Sequence, residues 1–583
     1  MQLNCFLIDV DYITQEGRAI IRMWLKDDDG KNIIAYDPTF EPYFYAITDD
    51  EKEILSIEVL RSGEEIRPNR VEKVIKQDFG TPIEVLKVYV NHPQHVPLLR
   101  EQVAGLGIEV READILYAIR YIIDRQLIPM DKVLVEGTDR EDENFDMAVD
   151  VKNIKAVPEG KNPNLKVMAF DCEMMSQGGM PDPKKDPIII ISIATGRDDL
   201  TCISMKDEKN DHAVINDFIT FVESYDPDVI VGYNTDEFDW QYLKSRADKL
   251  KEPLKIGRDG SPVKFSSGGG IKEARIFGRS NVDLYKIAKR DVGEVSIKSL
   301  ENVAEYMGIM RKSERVEVPG WEMARYWNDT TLRKTLFEYA KADVVSTWGI
   351  AARLLPLQYE FARIVRQPLD DVSKMGRGRQ VESLLVAEAF RVGELVPVKG
   401  GGTGTYTGGF VLFPKEGVHE DVISLDFSSM YPSIMINFNI SPDTVVERAE
   451  ENVESYQAPG TEYRFRKKPD GFFKLILTNL LERRKTVKEQ MALTDKNSYE
   501  HTTLDIHQNA IKILTNAFYG YTGWHAAKWY RRECAEATTA WGRSIIQDAI
   551  ERADNHGLEV IYGDTDSLFV KLKESQYQKQ ITI

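Results

Sequence analysis

Residues 559–570 read EVIYGDTDSLFV, and this stretch decides how the second half of the chain folds. Two apolar runs flank Asp564-Thr565-Asp566, which predicts two strands joined by a tight acidic turn. Turn formation alone favours Asn-Gly or Asp-Gly, and apolar strands gain no stability from two close anions. We therefore interpret the two aspartates as metal ligands, because hard divalent cations prefer carboxylate oxygens.

A partner strand for this hairpin is predicted earlier in the chain. The apolar run Val422–Leu425 ends on Asp426, and the segment FSSMYPSI follows at 427–434. Carboxylates from two adjacent strands can share two metal ions. The two stretches together predict one site for a pair of divalent cations.

Two helical stretches between these strands offer groups that bind phosphates. Arg484 and Lys488 lie four residues apart and share a helix face. A polar stripe recurs at spacings of four, four and three, at Gln508, Lys512, Asn516 and Tyr519. Such a stripe, taken alone, fits a solvated helix face as well as a phosphate-binding surface.

The first half of the chain carries a separate set of acids. The run VMAFDCE at 167–173 predicts a strand whose alternation places Asp171 and Glu173 on one face. A second run, DVIVGYN at 228–234, ends in a turn before Asp239. Tyr339 and Asp343 lie one turn apart on a predicted helix. Closely spaced carboxylates repel one another, and a cation bound between them would offset that repulsion.

Composition limits the class of protein. The chain has 583 residues, 42% hydrophobic and 29% charged, which indicates a soluble protein of several domains. The formal net charge is −18. Basic residues nevertheless cluster in the later part of the chain, and phosphate binding depends on where cations cluster and not on the net charge. The 4 cysteines include no CxxC pair, which predicts a reducing cytoplasmic location without disulfides. No secretion signal or membrane span is indicated.

The first set of acids resembles the 3′→5′ proofreading exonuclease of family B DNA polymerases. The resemblance rests on FDCE at 170–173, YNTDEFD at 233–239 and YAKAD at 339–343. It implies that two Mg²⁺ or Mn²⁺ ions are held by Asp171, Glu173, Asp239 and Asp343. It also implies that Tyr339 orients the attacking water and that Asn234 positions the DNA strand. Cys172 departs from the aliphatic residue common in the family, and we expect its side chain to point into the core.

The second set resembles the polymerase part of the same family. DFSSMYPSI at 426–434, KILTNAFYGYTG at 512–523 and YGDTDS at 562–567 are similar to its motifs A, B and C. The resemblance implies that Asp426 and Asp566 hold two Mg²⁺ ions while Asp564 tunes the site. It also implies contacts to the incoming dNTP from Phe427, Ser428, Ser429, Met430, Tyr431, Arg484, Lys488, Lys512, Asn516 and Tyr519. Within this set, Tyr431 would exclude ribonucleotides.

The N-terminal region resembles archaeal members of the family that capture template uracil. The matching positions, which the resemblance places around a pocket for the flat base, are Tyr12, Pro42, Tyr43, Pro93, Val96, Tyr117 and Arg120. A rigid cleft of this kind can accept a flipped-out base and exclude the methyl group of thymine. Ordinary β-barrel core residues remain the alternative interpretation.

The resemblance implies a multidomain α/β and α+β fold. Its parts are a β-rich N-terminal domain at 1–157 and 355–396, an RNase H-like exonuclease domain at 158–354, an incomplete palm at 397–473 and 524–583, and helical fingers at 474–523. Only Lys571–Ile583 follow motif C, so we expect the thumb to be absent and a small second subunit of a split archaeal polymerase to supply it. We also expect the motif C strands to lie at an open sheet edge that this subunit covers.

The expected partners are primer-template DNA, dNTPs and the small subunit, with a sliding clamp as a further candidate and no membrane. Two other functions stay open. The chain could act as a nuclease alone, because a missing thumb would impair synthesis. It could also be a non-catalytic scaffold that senses uracil or recruits a partner, although a scaffold has no need of closely spaced carboxylates.

Overall fold

A computed structural model describes residues 1–61, 63–176, 178–206, 210–268, 271–399, 401, 406–447, 450 and 452–572. The chain divides into two compact units, each built from two segments: Met1–Phe40 with Leu116–Gly376, and Glu41–Ile115 with Arg377–Ile583. The four domain boundaries given above stay a prediction. Part of the glycine-rich stretch 400–409 and all of 573–583 lie outside the described residues.

The first unit begins with a closed five-stranded barrel. Its strands, in spatial order, are Gln2–Gln15, Lys132–Arg140, Met147–Ala156, Asn32–Asp37 and Arg18–Lys26. Residues such as Leu7, Ile21 and Val133 are fully buried in its core. Apolar side chains on the inner face explain why these runs pair into a barrel with a filled interior.

The first unit also contains a five-stranded mixed sheet. Its strand order is Leu200–Ser204, Ile188–Ala194, Val167–Met174, Val229–Gly232 and Ser280–Asp283. The strand Val167–Met174 is central, antiparallel to one neighbour and parallel to the other. All seven residues of Ile188–Ala194 are buried, as expected of a strand covered on both faces. Strands of this sheet alternate along the chain with helices, as in an α/β layer.

Helices pack around this sheet and place side chains at its edge. The helices of the first unit are Tyr117–Asp124, His212–Tyr225, Asp239–Leu250, Leu284–Asp291, Leu300–Tyr306, Met323–Asn328, Leu332–Val365 and Leu369–Lys374. A hairpin, Lys264–Gly268 with Ile271–Arg275, completes the unit. The rings of Phe170 and Trp240 pack at a tilt in the core, with centroids 4.7 Å apart. Cys172 is buried as expected.

The second unit contains a four-stranded antiparallel sheet from its earlier segment. The order is Arg70–Asp78, Thr81–Tyr89, Tyr43–Ile47 and Glu109–Arg111, and a short pair, Val59–Arg61 with Glu64–Ile66, lies in the same segment. Phe44, Leu86 and Val88 form its buried core with neighbouring helices.

A second antiparallel sheet in this unit holds the acidic hairpin. Its order is Val411–Leu412, Glu559–Asp564, Ser567–Lys571 and Val422–Asp426, which confirms the predicted hairpin and its partner strand. The expectation that the hairpin strands lie at an open edge is wrong: in the described part of the unit they are the inner strands. Val411–Leu412 pairs with Gly563 and Asp564 and thereby covers the end of this strand that leads into the acidic turn.

Long helices flank this sheet. The helices of the second unit are Glu51–Leu55, Val96–Gly105, Arg377–Val392, Met430–Asn437, Phe472–Met491, Tyr499–Thr522 and Arg532–Asn555, and a further strand pair joins Ser455–Gln457 to Arg464–Arg466. The two predicted helical stretches are confirmed: Arg484 and Lys488 lie on Phe472–Met491, and the polar stripe that begins at Gln508 lies on Tyr499–Thr522. Among the described residues, no helix has the length and apolar character that a bilayer crossing requires.

Candidate active sites

Strand alternation and one long helix bring three acids together in the first unit. Asp171 and Glu173 project from the same face of Val167–Met174, and Asp343 reaches them from the helix Leu332–Val365. One carboxylate oxygen from each of the three residues lies within 4.8 Å of the other two. In the described chain this is the one group of three or more acidic, histidine or cysteine side chains with that spacing.

Asp239 completes what we call the first carboxylate set: Asp171, Glu173, Asp239 and Asp343. Asp239 is the first residue of the helix Asp239–Leu250 and is buried. Its Oδ1 accepts a hydrogen bond of 3.2 Å from the backbone N–H of Cys172, the residue between Asp171 and Glu173. All four sequence-predicted acids therefore lie around the central strand Val167–Met174, with Asp239 outside the tightest group.

The electrostatics of this set suit a divalent cation. Burial raises the pKa of Asp171 to about 7, and the neighbouring Arg315 opposes that rise. Burial, reinforced by Asp171 and Asp239, also raises the pKa of Glu173 well above its usual range. Desolvated like charges are unstable without a counterion. Closely spaced carboxylate oxygens are the donors that Mg²⁺ and Mn²⁺ take, so the residues present fit such ions.

The structure places Tyr339 beside this set and places Asn234 at a different cleft. Tyr339 lies one turn before Asp343 on the same helix face, and burial followed by the charges of Glu173 and Asp171 raises its pKa. The Tyr339 hydroxyl therefore stays protonated. Asn234 has a left-handed backbone with φ of 65°, and its N–H donates to Asp283 at 2.8 Å. Its side chain lines a separate cleft of about 300 Å³ with Tyr285.

Arg315 also belongs to this region and was not predicted from the sequence. Its guanidinium forms an ion pair with Asp343 and donates to Ser346 Oγ at 2.7 Å. Arg315, Tyr339 and Asp343 line an open cleft of about 470 Å³, which we call the Arg315 cleft. The segment RKSERVEV at 311–318 has no periodicity that would single out one basic residue, so no sequence signal was present.

The second carboxylate set consists of Asp426, Asp564 and Asp566. The hairpin turns at Thr565, whose φ is 54°, and Asp566 N–H donates to Asp564 O at 2.6 Å. The N–H of Phe427 donates to Asp566 O at 2.8 Å, which joins the end of Val422–Asp426 to this turn. Partial burial, followed by the charge of Asp426, raises the pKa of Asp566. Asp426 and Asp566 are therefore electrostatic neighbours, as predicted.

Asp564 has a different environment from its two partners. Its carboxylate accepts hydrogen bonds from Thr565 Oγ1 at 2.9 Å and from Tyr562 Oη at 3.3 Å. The three acids of this set do not approach one another as closely as Asp171, Glu173 and Asp343 do. Local hydroxyl partners stabilise the Asp564 carboxylate without a cation, whereas Asp426 is exposed.

The segment after Asp426 arranges a second group of predicted residues. Phe427 and Ser428 are exposed, and Ser429, with φ of 52°, precedes the helix Met430–Asn437. The rings of Tyr431 and Tyr519 lie 4.3 Å apart between centroids. The Tyr519 hydroxyl donates to Tyr406 Oη at 3.2 Å. The structure thus brings Tyr431 and Tyr519 together from motifs that lie far apart in the sequence.

Two antiparallel helices carry the predicted phosphate-binding cations. Arg484 and Lys488 lie on Phe472–Met491, and Lys512 and Asn516 lie on Tyr499–Thr522, where both are exposed. Arg484 Nε donates to Gln508 Oε1 at 3.2 Å, which joins the two helices. The helical placement of these side chains is confirmed, and their contact with a nucleotide stays a prediction.

The seven residues of the expected uracil pocket fall in both units. Tyr12, Tyr117 and Arg120 belong to the first unit, where the rings of Tyr12 and Tyr117 meet edge to face at 5.5 Å. The other four, which belong to the second unit, are Pro42, Tyr43, Pro93 and Val96. Val96 is the first residue of the helix Val96–Gly105 and is buried. The pocket itself stays a prediction.

Comparison with known families and proteins gives consistent matches. The family description "DNA polymerase family B" matches residues 367–583, and "DNA polymerase family B, exonuclease domain" matches residues 108–303. A "DNA polymerase" of Archaeoglobus fulgidus is 46% identical over 97% of this chain and 70% of its own length. "DNA polymerase 2" of Aeropyrum pernix is 41% identical over 99% of this chain and 74% of its own length.

A solved structure shows the same architecture. The family B DNA polymerase of Pyrobaculum calidifontis superposes with a TM-score of 0.90 at 39% sequence identity. That match covers 98% of this chain and 75% of the other.

Proposed function

Because the chain belongs to DNA polymerase family B and is a DNA-directed DNA polymerase with a 3′→5′ exonuclease domain, we propose that each carboxylate set serves one of these activities. The second set transfers a nucleotide from a dNTP to a primer 3′-OH. The first set hydrolyses the terminal phosphodiester of a mispaired strand. The observation that carries the proposal is that each of two separate sheets positions its own carboxylates.

Divalent cations belong to both proposed sites. Asp426 and Asp566 would hold two ions at the polymerase site, and Asp171, Glu173, Asp239 and Asp343 would hold two at the exonuclease site. Mg²⁺ is the expected ion, and Mn²⁺ has the same ligand preference. Such ions, when bound, make the attacking oxygen more nucleophilic and stabilise the leaving oxygen.

The protein groups of the polymerase site bind and orient the nucleotide. Lys512, Arg484 and Lys488 neutralise phosphate charge as it moves toward pyrophosphate. The backbone at 427–430 cradles the triphosphate. Asn516 and Tyr519 line the nascent base pair, and Tyr431 lies under the sugar, where a 2′-OH would collide with the ring. Contact between Tyr431 and Tyr519 supports this last assignment.

The protein groups of the exonuclease site handle water and the DNA strand. The Tyr339 hydroxyl, which stays protonated, donates a hydrogen bond that orients the attacking water. Asn234 positions the strand. Arg315 balances the charge of Asp343 before DNA enters, because a buried carboxylate with no partner is costly.

Primer extension and strand trimming, each with Mg²⁺, with Mn²⁺ and with a chelator, test the proposal. We expect both activities with either ion and neither with the chelator. Trimming without any extension would favour a nuclease alone, and binding of DNA without either reaction would favour a scaffold. Addition of Mn²⁺ to protein whose metal has been removed by the chelator should also raise the melting temperature, because an ion that binds only the folded state stabilises it. Asp171→Asn should reduce this rise.

Three finer expectations extend this proposal and stay predictions. Template uracil binding is tested by Val96→Gln, which should allow the enzyme to copy past uracil where the unaltered protein stalls. A second polypeptide that completes the palm and thumb should raise extension sharply when it is added. A sliding clamp should raise the length of product made per binding event. Unchanged stalling or unchanged product length would count against the corresponding expectation.

A further inference from the structure

An exposed tryptophan stands at the rim of the Arg315 cleft. The Trp321 side chain is 68% exposed and lines the cleft together with Tyr339 and Asp343. Tryptophan is highly buried on average, because its large apolar ring gains free energy when it leaves water. A ring that remains in water beside a catalytic cleft therefore indicates a surface on which a flat ligand can stack.

The turn that carries this ring is held on both sides. Trp321 is the middle residue of the 3₁₀ turn Gly320–Glu322, between buried Val318 and buried Met323. Glu322 N–H donates to Pro319 O at 2.8 Å, and the Glu322 carboxylate pairs with Arg325 at 3.0 Å. The turn is thus anchored in the core, and Trp321 projects outward from it. Because the turn is fixed, only the side-chain torsions of Trp321 lose freedom when a ligand stacks on the ring.

Charge alone does not explain how a DNA strand would remain in this cleft. Lys312 and Arg315 line it, but the carboxylates of Glu301, Glu317 and Asp343 line it as well. Arg315 is already paired with Asp343. A polyanion therefore gains little net Coulomb attraction from the protein before metal binds. Base stacking on an aromatic ring does not depend on the sign of the charge around it.

We propose that Trp321 stacks on an unpaired base of the strand that enters the exonuclease cleft and thereby selects frayed 3′ ends over paired ones. The selection follows because a base within a duplex already stacks on its neighbours and has no free face for the ring. The inference rests on the proposed exonuclease function of the first carboxylate set. It assigns Trp321 to substrate binding and not to the chemical step.

The test measures binding of a single-stranded oligonucleotide by fluorescence anisotropy, in chelator, to the full chain carrying Asp171→Asn. Adding Trp321→Ala should weaken binding by about 5- to 150-fold, the range that loss of one base–aromatic stack produces. Trp321→Phe should retain most of the affinity. Tyr499→Ala is the matched control, because it removes an exposed aromatic ring that lies in the second unit and not in the first. It should leave the affinity for the oligonucleotide unchanged.

A second oligonucleotide separates stacking from a general effect on folding. With abasic nucleotides at the 3′ end, Trp321→Ala should make no difference, because no base is present to stack. Quenching of protein fluorescence by the normal oligonucleotide should also be smaller in Trp321→Phe than in the parent. Equal affinity of Trp321→Ala and its parent for the normal oligonucleotide, or an equal loss with the abasic one, would overturn the proposal.

Kinetics distinguish this proposal from the function on which it rests. In the enzyme with Asp171 intact, Trp321→Ala should raise KM for unpaired 3′ ends and leave kcat nearly unchanged. If the unaltered chain does not trim DNA at all, the exonuclease assignment fails. If it trims normally and Trp321→Ala has the same KM, only the role of Trp321 fails.

Discussion

The backbone N–H of Phe427 donates to the carbonyl oxygen of Asp566 at 2.8 Å, and this bond ties the strand that ends at Asp426 to the acidic turn. It fixes the main chain on both sides of the second carboxylate set. The acid side chains therefore depend on strand register and not on mobile loops. Sites built on paired strands hold their geometry more closely than sites built on loops.

Lys512 provides the clearest test of the phosphate-binding stripe. It is exposed on the helix Tyr499–Thr522, and we expect Lys512→Ala to raise KM for dNTPs by about 10- to 150-fold, because a hydrogen bond to a charged group contributes ~1.5–3 kcal/mol. Steady-state primer extension measures this change. Lys485→Ala is the control, since Lys485 is an exposed lysine next to Arg484 that the proposal does not use. A similar effect from both variants would count against a specific phosphate contact.

Tyr431 tests how the site distinguishes sugars. The ring is confined by Tyr519 and by Gly542, where an added Cβ would lie 3.0 Å from Tyr431 Cε1. Because the ring has little room to retreat, Tyr431→Ala should increase the efficiency of ribonucleotide insertion relative to deoxyribonucleotide insertion by about 10- to 200-fold, as expected for filling or emptying part of a pocket. Competition between the two nucleotides measures the ratio. An unchanged ratio would exclude Tyr431 as the discriminating residue.

Glu394 predicts a pH dependence of stability in the second unit. It is buried, and its carboxylate accepts from Phe79 N–H at 2.7 Å and from Gly80 N–H at 3.4 Å. Burial raises its pKa from 4.5 to about 7, so the folded state holds a proton that the unfolded state releases at lower pH. The contribution of Glu394 to the free energy of unfolding is therefore complete below pH ~4.5 and is lost as the pH rises toward ~7.

Glu394→Gln should remove this dependence, because glutamine keeps an acceptor for Phe79 N–H and does not titrate. From pH ~5 to ~8 the unaltered protein should lose up to ~3 kcal/mol of stability relative to the variant. Denaturant unfolding at several pH values, followed by a signal from the second unit, measures the difference. Parallel pH profiles for the two proteins would show that Glu394 is ionised throughout.

Much of the candidate sites could be predicted from local pattern. Alternation along 167–173 placed Asp171 and Glu173 on one face, and helical spacing placed Tyr339 beside Asp343, because these relations depend only on backbone geometry. The hairpin around Thr565 was predicted for the same reason.

Other features depend on contacts between distant segments. Arg315 reaches Asp343 from a loop with no periodic pattern, and Trp321 lies on a short turn fixed by buried neighbours. Gly542 matters because the Tyr431 ring packs against it, which no local rule reveals. The inner position of the hairpin strands likewise required a partner strand only two residues long, Val411–Leu412. Tertiary packing decides each of these, and the sequence alone carries no short-range signal for them.

The central claim is that two separate carboxylate sets perform two separate reactions. The most direct test assays primer extension and 3′ trimming side by side for Asp566→Ala and Asp171→Ala, with circular dichroism and melting temperature to show that both variants fold. Asp566→Ala should lose nucleotide incorporation and keep trimming, whereas Asp171→Ala should lose trimming and keep incorporation. Loss of both activities in either well-folded variant would contradict the account.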